Sequence, residues 1–149
     1  MAIIFDEQNK VFKLDTKTST YIFGVFTGNY LVHYYYGAPI PDTNVSKLRF
    51  RGHFASFSPD SPTAREKNFS PDVTPMEYST NGAGDFRISA FSVKNANGDT
   101  VTDLRYVSHK IYQGKKPLKG LPSLYLNNDD EADTLEVLTC DKVTGAEVT

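Results

Sequence analysis

Residues 78–87 read Tyr78-Ser-Thr-Asn-Gly-Ala-Gly-Asp-Phe-Arg87 and open a stretch, continuing to Tyr125, around which the fold of this 149-residue chain is organised. Alternating side chains flank Asn97-Gly98 within this stretch. An Asn-Gly pair in that setting is the strongest short signal for a β-hairpin, because both residues accept the positive φ angles of a tight turn. The sequence therefore predicts two strands that turn at Asn97-Gly98, the second continuing over residues 100–112.

Further strands are predicted on both sides of this stretch. The chain contains ten Phe, nine Tyr and no Trp, and apolar residues make up 39% of it. This composition is typical of a globular protein, and its aromatic and β-branched residues favour strands over helices. Short apolar runs bounded by turn residues predict strands at residues 3–5, 11–14, 19–26, 30–36, 134–140 and 146–149, with turns at 9–10, 27–29 and 144–145.

The run over residues 19–26 is apolar on both faces. One face carries Tyr21, Phe23 and Val25, and the other carries Ile22 and Phe26. A strand of this kind lies in the middle of a stack of layers. Because no segment of twelve or more residues shows helical periodicity with capping signals, the sequence predicts an all-β fold, an antiparallel β-sandwich in a single domain over residues 1–149.

The strand predicted at residues 146–149 reaches the end of the chain. The sequence offers it no partner strand, and a strand without a partner leaves its backbone donors and acceptors unpaired. We therefore expect the sandwich to be truncated at its C-terminal end and the chain to be a piece of a longer protein.

A proline-rich excursion interrupts the strand pattern at about residues 38–75. It holds six of the eight prolines: Pro39, Pro41, Pro59, Pro62, Pro71 and Pro75. Proline removes a backbone donor and fixes φ, so only residues 47–57 are predicted to hold a strand there. Irregular segments of this length are usually functional or interfacial, which makes the excursion the first place to look for a role.

Charge and cysteine content exclude several classes of function. The formal net charge is −2, which argues against a broad electrostatic surface for nucleic acid or anionic lipid. Cys140 is the only cysteine, so no intrachain disulfide is expected. The first residues do not resemble a signal peptide, and no stretch approaches the length of a membrane span, so we expect a cytoplasmic protein.

The residues that usually hold cofactors are scattered along the chain. His33, His53 and His109 are far apart and lack the short spacings of a metal site, so we interpret each as forming local hydrogen bonds. Gly82-Ala-Gly84 lacks the flanking strand and helix of a phosphate-binding loop. The sequence therefore predicts no metal and no cofactor.

Two Asp-x-Arg pairs, Asp85 with Arg87 and Asp103 with Arg105, are the most regular charged features. Residues two apart lie on one face of a strand, and strands paired through the hairpin would join both pairs into a charge ladder. We interpret the pairs as structural rather than catalytic. A separate hypothesis is a free-standing carbohydrate-binding module whose sugar-stacking surface uses Tyr34, Tyr36 or His109.

A series of short motifs in fixed order provides the strongest functional signal. In chain order they are Leu31, His33, Tyr35 and Gly37; Asn68-Phe-Ser-Pro-Asp72; Glu77-Tyr78; Gly84-Asp-Phe-Arg87; Val101-Thr-Asp-Leu-Arg-Tyr106; Ser108-His-Lys-Ile-Tyr112; Gly120-Leu-Pro122; and Thr134-Leu-Glu-Val137. Together they resemble the N-terminal domain of the large microbial α-galactosidases, the melibiase and raffinose-type glycoside hydrolases. The resemblance implies a galactose-mutarotase-like β-supersandwich that precedes a catalytic (β/α)₈ barrel.

The resemblance also implies what this domain does and does not supply. Family members hydrolyse terminal α-galactosides such as melibiose and raffinose with retention, using two aspartates of the barrel, so no catalytic residue is expected here. In tetrameric members the N-terminal domain lends loops to a neighbouring subunit's pocket. The implied partners are therefore the α-galactoside in the full chain, its own barrel and neighbouring subunits of a homo-oligomer.

Two segments of the excursion resemble those loops. Residues 51–59 resemble the first loop, and residues 65–69 resemble the second. His53, Phe54 and Lys67 are the implied substrate-rim residues. The family often has a charged residue where this chain has Phe54 and an arginine where it has Lys67, so Phe54 can only pack and Lys67 cannot form a bidentate contact.

Overall fold

The computed structural model describes residues 2–45, 47–49, 69–120, 126–128 and 131–149 of the chain. Their strands form two antiparallel sheets, ordered β1-β2-β3-β4 and β5-β6-β7. The strands are β1 (Ala2–Asp6), β2 (Val11–Asp15), β3 (Thr20–Val25), β4 (Leu31–Gly37), β5 (Arg105–Gln113), β6 (Asp133–Cys140) and β7 (Glu147–Val148), with one 3₁₀ turn at Thr27–Asn29. The predicted all-β antiparallel fold is confirmed. The described residues contain no helix long and apolar enough to cross a membrane.

The first sheet is a meander whose turns are fixed by local hydrogen bonds. Between β1 and β2, Asp6 accepts from the backbone N–H of Asn9 at 3.0 Å and from its side-chain amide at 2.8 Å. Lys10 completes this turn with a φ of 54°. Such side-chain caps reverse the chain between neighbouring strands, and they explain why the turn at residues 9–10 could be predicted from sequence.

Strand β3 lies inside the first sheet and is buried on both faces, as predicted. One face joins the inter-sheet core, which is built on Phe12, Phe23 and Val25 with Phe5, Leu14, Tyr21, Leu31, Tyr106, Leu135 and Val137 around them. The other face joins the outer core, which consists of Val11, Ile22, Tyr30, Val32, Tyr34, Val45 and Phe69. The inter-sheet core contains residues of β5 and β6, so the two sheets pack as a sandwich.

The predicted hairpin at Asn97-Gly98 is wrong, although the turn itself is present. Gly98 N–H donates to Asn95 O at 2.9 Å, but the flanking residues form no paired strands, and β5 begins only at Arg105. The side chain of Asn95 instead binds Asp99 at 2.7 Å and the carbonyl of Val101 at 2.9 Å. These local bonds replace the strand ladder that the Asn-Gly signal predicted.

The end of the chain does find a partner strand. Residues 141–146 turn back, with Asp141 N–H donating to Ala146 O at 2.8 Å, and β7 then pairs with β6 at Thr139↔Val148. The expectation of an unpaired final strand is therefore wrong, because this turn is tight enough to return the chain along β6. The predicted turn at residues 144–145 and the strand ending at Cys140 are both present.

The described parts of the proline-rich excursion contain no strand and cover the outer face of the first sheet. Val45 and Phe69 are buried in the outer core, and Ile40 and Met76 pack against it. Most of the strand predicted at residues 47–57 lies outside the described residues.

Candidate functional site

The three predicted rim residues, His53, Phe54 and Lys67, lie outside the described residues. The structure does describe the two residues that flank this part of the excursion, Arg49 before it and Phe69 after it. The contacts of these two residues and of the residues that follow Phe69 form the candidate functional site.

Arg49 and Phe69 both contact one aromatic ring, that of Phe26. The guanidinium carbon of Arg49 lies 5.5 Å from the Phe26 ring centroid, and the ring of Phe69 lies 5.9 Å from it. Phe69 is 3% exposed and stacks on Tyr30 at a centroid distance of 5.1 Å. The side chains of Arg49 and Phe69 therefore lie next to each other on the outer face of the first sheet.

Residues 69–77, which we call the strip, begin at Phe69 and are held by Arg87. Its guanidinium donates to both oxygens of Asp85, at 2.9 and 2.8 Å, in a bidentate pair. The remaining donors bind the carbonyls of Pro71 at 2.6 Å and Thr74 at 2.7 Å. Asp85 is buried, and Arg87 balances its negative charge. The same arginine therefore pairs with a buried carboxylate and fixes the strip.

The far end of the strip joins the edge of β4. His33 N–H donates to Pro75 O at 2.7 Å, and Glu77 N–H donates to Leu31 O at 3.0 Å. The carboxylate of Glu77 accepts from the hydroxyl of Tyr21 at 2.7 and 2.5 Å and lies 3.1 Å from Nδ1 of His33. Burial and then the Glu77 carboxylate raise the pKa of Tyr21, so its hydroxyl remains a donor.

We call the Arg87 arrangement a clamp: a guanidinium that binds both oxygens of the aspartate two positions before it and also one or more backbone carbonyls of a distant segment. Arg105 forms a second clamp of this kind. Arg105 donates to the two oxygens of Asp103 at 2.8 and 2.5 Å, and its third contact is the carbonyl of Gly28 at 2.7 Å. Its guanidinium carbon lies 3.8 Å from the ring centroid of Tyr30, whose hydroxyl donates to Asp103 at 2.9 Å. Burial and then Asp103 raise the pKa of Tyr30.

The charge ladder expected between the two Asp-x-Arg pairs is not formed. Each arginine instead binds its own aspartate and carbonyls of a distant segment, because the hairpin that would have aligned the pairs is absent. A cleft of about 430 Å³ next to Arg105 is lined by Asp103, Asp141 and Lys142. Arg105 already donates to Asp103 and to the carbonyl of Gly28, which favours a structural role for this guanidinium.

Of the three residues considered for a sugar-stacking surface, His109 and Tyr34 are packed against other residues and Tyr36 is exposed. His109 lies between the sheets, with ring centroids 4.2 Å from Phe5 and 4.9 Å from Phe12 and with Nδ1 2.8 Å from the Tyr106 hydroxyl. Tyr34 is 8% exposed, whereas Tyr36 is 70% exposed. Across the part of the chain that the structure describes, no three His, Cys, Asp or Glu side chains are grouped to hold a metal ion.

The contacts that hold residues 69–77 could not be predicted from sequence. The sequence shows Asp85 and Arg87 as a pair, but nothing in their spacing indicates that the same guanidinium binds residues 71 and 74. Tyr21 and Glu77 are separated by 56 positions. One sequence feature is consistent with these contacts. Asp85 and Arg87 are two positions apart, next to glycines and in a segment with many turn residues, where a charged pair can be buried.

Comparison with known proteins places the chain in a family. Residues 29–149 match the model of the glycosyl hydrolase family 36 N-terminal domain, and the chain belongs to this family. It is 39% identical over 149 residues to α-galactosidase AgaA of Geobacillus stearothermophilus and 40% identical over 145 residues to α-galactosidase Mel36A of Lactobacillus acidophilus. These alignments cover 100% and 97% of this chain but 20% of each relative.

Solved structures agree with this assignment. The family 36 α-galactosidase AgaB of Geobacillus stearothermophilus superposes with a TM-score of 0.83 and 40% identity, over 99% of this chain and 20% of that chain. The galactosidase domain of AgaSK superposes with a TM-score of 0.87 and 33% identity, over 98% of this chain and 20% of that one. The resemblance stated from sequence is confirmed, and the chain spans about a fifth of the length of the relatives that it matches.

Proposed function

We propose that this chain is the non-catalytic N-terminal domain of a cytoplasmic α-galactosidase that hydrolyses terminal α-galactosides such as melibiose and raffinose. In this proposal the domain supports assembly of a homo-oligomer, a tetramer at full length, and its excursion shapes the rim of an active site housed in the barrel. Family membership supports the proposal, since the relatives are named as α-galactosidases.

One structural observation carries the role at the rim. Arg49 and Phe69, which flank residues 50–68 in sequence, both contact Phe26, and residues 69–77 are fixed by Arg87 and by the edge of β4. Arg49 and Phe69 are thus held against the sandwich on either side of the rim candidates in sequence, and this supports the proposed role.

The first test separates the domain from the complete protein. With a chromogenic α-galactoside, we expect no turnover by the 149-residue chain and turnover by the complete reading frame that contains it. Sedimentation of the complete protein should give a tetramer. Turnover by the isolated chain would overturn the non-catalytic assignment, and a monomeric, fully active complete protein would overturn the role in assembly.

The second test addresses the rim. In the complete protein, Lys67→Ala should raise KM for raffinose by about tenfold or more, the value of one hydrogen bond that involves a charged group, with kcat almost unchanged. Lys119→Ala is the matched control, since it removes a lysine with an exposed side chain outside the excursion. His53→Ala and Phe54→Ala should also raise KM, whereas equal KM values in all variants would contradict a rim role.

A second candidate function is a free-standing carbohydrate-binding module. It is favoured by the exposed ring of Tyr36, which lies 6.0 Å from the ring of Tyr21 next to Glu77 and His33. Of the three residues first considered for a stacking surface, Tyr36 alone has this exposure. Calorimetry of the 149-residue chain with galactose and raffinose would detect such binding, and Tyr36→Ala should abolish it.

A further inference from the structure

Three side-chain rings, those of Tyr36, Tyr21 and His33, form a row across β3 and β4. Tyr21 is paired in register with Tyr36, and Phe23, the next residue on the same face of β3, is paired with His33. The ring centroid of Tyr21 lies 6.0 Å from that of Tyr36 and 5.1 Å from that of His33. Tyr21 packs against the inter-sheet core, whereas Tyr36 is 70% exposed. This row, which we call the ring row, therefore runs from the core to solvent.

The carboxylate of Glu77 joins the ring row from the end of the strip. The backbone N–H of Glu77 donates to Leu31 O at 3.0 Å, which fixes the residue beside β4. Its carboxylate accepts from the Tyr21 hydroxyl and lies 3.1 Å from Nδ1 of His33. The side chains of Glu77 and His33 are 19% and 33% exposed. Because an ionised carboxylate offers about four lone-pair sites, Glu77 can accept further hydrogen bonds from solvent or from a ligand.

Two other polar groups of the ring row have no hydrogen-bond partner in the part of the chain that the structure describes. They are Nε2 of His33, whose Nδ1 faces Glu77, and the hydroxyl of Tyr36. An exposed aromatic face therefore lies near a carboxylate and a ring nitrogen that can still bond. A pyranose has the matching chemistry, since it presents C–H groups on one face and hydroxyls around its edge, and ligand sites commonly combine aromatic walls with a few polar groups.

We propose that the ring row and Glu77 form a binding site for a neutral pyranoside. The C–H face of the sugar packs on Tyr36, while its hydroxyls donate to the carboxylate of Glu77 and bond to Nε2 of His33. Tyr21 acts as a positioning residue, because its hydroxyl orients the carboxylate. The ligand is neutral since the Glu77 carboxylate repels an acidic sugar. This inference rests on the carbohydrate-binding function considered above, and it adds the polar groups that bind the sugar and the class of sugar bound.

Four variants of the 149-residue chain separate these roles. Tyr36→Ala removes the stacking face and should raise the Kd for raffinose by about tenfold or more, whereas Tyr36→Phe keeps the face and should raise it by less than about threefold. Glu77→Gln removes the charge that accepts from the sugar and should raise the Kd by about tenfold. Phe86→Ala is the matched control, since Phe86 is 73% exposed and lies outside the ring row, and it should leave the Kd unchanged.

The measurement is a titration followed by the backbone amide signals of the isotope-labelled 149-residue chain, which reports both the Kd and the place of binding. With raffinose, the signals of His33, Tyr36 and Glu77 should shift in a saturable way. Galactose and galacturonate form a matched pair of ligands that differ in the carboxylate at C6. Galacturonate should bind about threefold more weakly or worse, because its charge faces that of Glu77.

The outcomes distinguish this site from the function on which it rests. Saturable shifts in the ring row that are weakened in Tyr36→Ala and unchanged in Phe86→Ala support the inference. If raffinose binds but shifts other signals and Tyr36→Ala binds it normally, the site is overturned and carbohydrate binding stands. If galacturonate binds as well as galactose, the role of Glu77 is overturned. If no sugar produces saturable shifts, the site and the carbohydrate-binding function are overturned together.

Discussion

The two faces of the first sheet are covered in different ways. On the inter-sheet face, β5 and β6 cover the sheet with side chains such as Tyr106, Leu135 and Val137. On the outer face, the described ends of the excursion cover it without forming strands. A covering sheet pairs its own backbone groups, whereas an irregular cover must have its backbone donors and acceptors bonded by side chains. We therefore expect the stability of the inter-sheet face to depend on apolar contacts and that of the outer face to depend on hydrogen bonds and ion pairs, which we call polar anchors.

Polar anchors are indeed found where the excursion meets the outer face. Lys13 is 5% exposed and forms an ion pair with Asp15, which also accepts from the hydroxyl of Thr20 at 2.5 Å. Thr20 in turn accepts from the backbone N–H of Ile40, at 3.3 Å. This chain of contacts ties the start of the excursion to β2 and β3, as Arg87 ties the strip near its end.

The largest effect is expected on the inter-sheet face. Phe12 is fully buried, with ring centroids 4.5 Å from Phe5 and 4.9 Å from Phe23. Phe12→Ala should lower the free energy of unfolding, measured by urea denaturation, by about 3–5 kcal/mol, because it removes a buried ring and leaves a cavity between the sheets. Ile88→Ala is the control, since Ile88 is 97% exposed. A loss for Phe12→Ala that is no larger than for the control would mean that the sheets do not depend on this contact.

The same difference between the two faces explains how much of each could be predicted from the sequence. Strands β1 to β4 follow one another in sequence and pair with their neighbours, so turn residues and alternation predicted them, including the two apolar faces of β3. The cover of the outer face depends on contacts such as those from Arg87 to the carbonyls of Pro71 and Thr74, 16 and 13 positions away. Side-chain bonds to distant carbonyls follow no spacing rule, so the sequence showed the Asp-x-Arg pairs but not what they hold.

The Asn97-Gly98 turn shows the opposite failure, a local signal that tertiary contacts override. The backbone N–H of Thr102 donates to Asn81 O at 2.9 Å, and the amide of Asn81 donates to the hydroxyl of Thr100 at 2.8 Å. Thr100 and Thr102 are therefore bonded to Asn81 instead of pairing as a strand with the residues before the turn. Alternation around an Asn-Gly pair predicts a turn reliably, but the partner of each flanking segment is decided elsewhere in the fold.

A second, smaller effect tests the polar anchor on the outer face. The hydrogen bonds from Lys13 and then Thr20, opposed by burial, hold the pKa of Asp15 below its usual value of 3.8. Asp15→Asn should lower the free energy of unfolding by about 1.5–3 kcal/mol at pH 7, the range for hydrogen bonds to a charged group.

The pH dependence of that loss has a definite sign. A carboxyl whose folded pKa is lowered stabilises the folded state fully above its unfolded pKa, and the stabilisation is lost as the pH falls through the folded pKa. The difference between wild type and Asp15→Asn should therefore be constant from pH 7 to about pH 5 and shrink below about pH 4. Urea denaturation at several pH values measures it. A difference that does not change down to pH 2 would show that the charge of Asp15 is not what anchors the excursion.

The smallest effect is expected at Tyr30, which belongs to the outer core and also contacts the second clamp. Tyr30→Phe keeps the ring that lies 3.8 Å from the guanidinium carbon of Arg105 and 5.1 Å from the Phe69 centroid, and it removes only the hydroxyl bonded to Asp103. Because Arg105 still holds both oxygens of Asp103, the loss should be about 0.5–1.5 kcal/mol by urea denaturation.

Tyr30→Leu is the matched variant for that measurement. It removes the hydroxyl together with the aromatic face under Arg105 and against Phe69, so its loss should exceed that of Tyr30→Phe. If both variants lost the same free energy, the hydroxyl rather than the ring would join the excursion to the clamp. At this position the outer face would then depend on a polar anchor and not on the packing of Tyr30 against Phe69. The contrast with the apolar inter-sheet face would be sharper than the buried ring of Phe69 suggests.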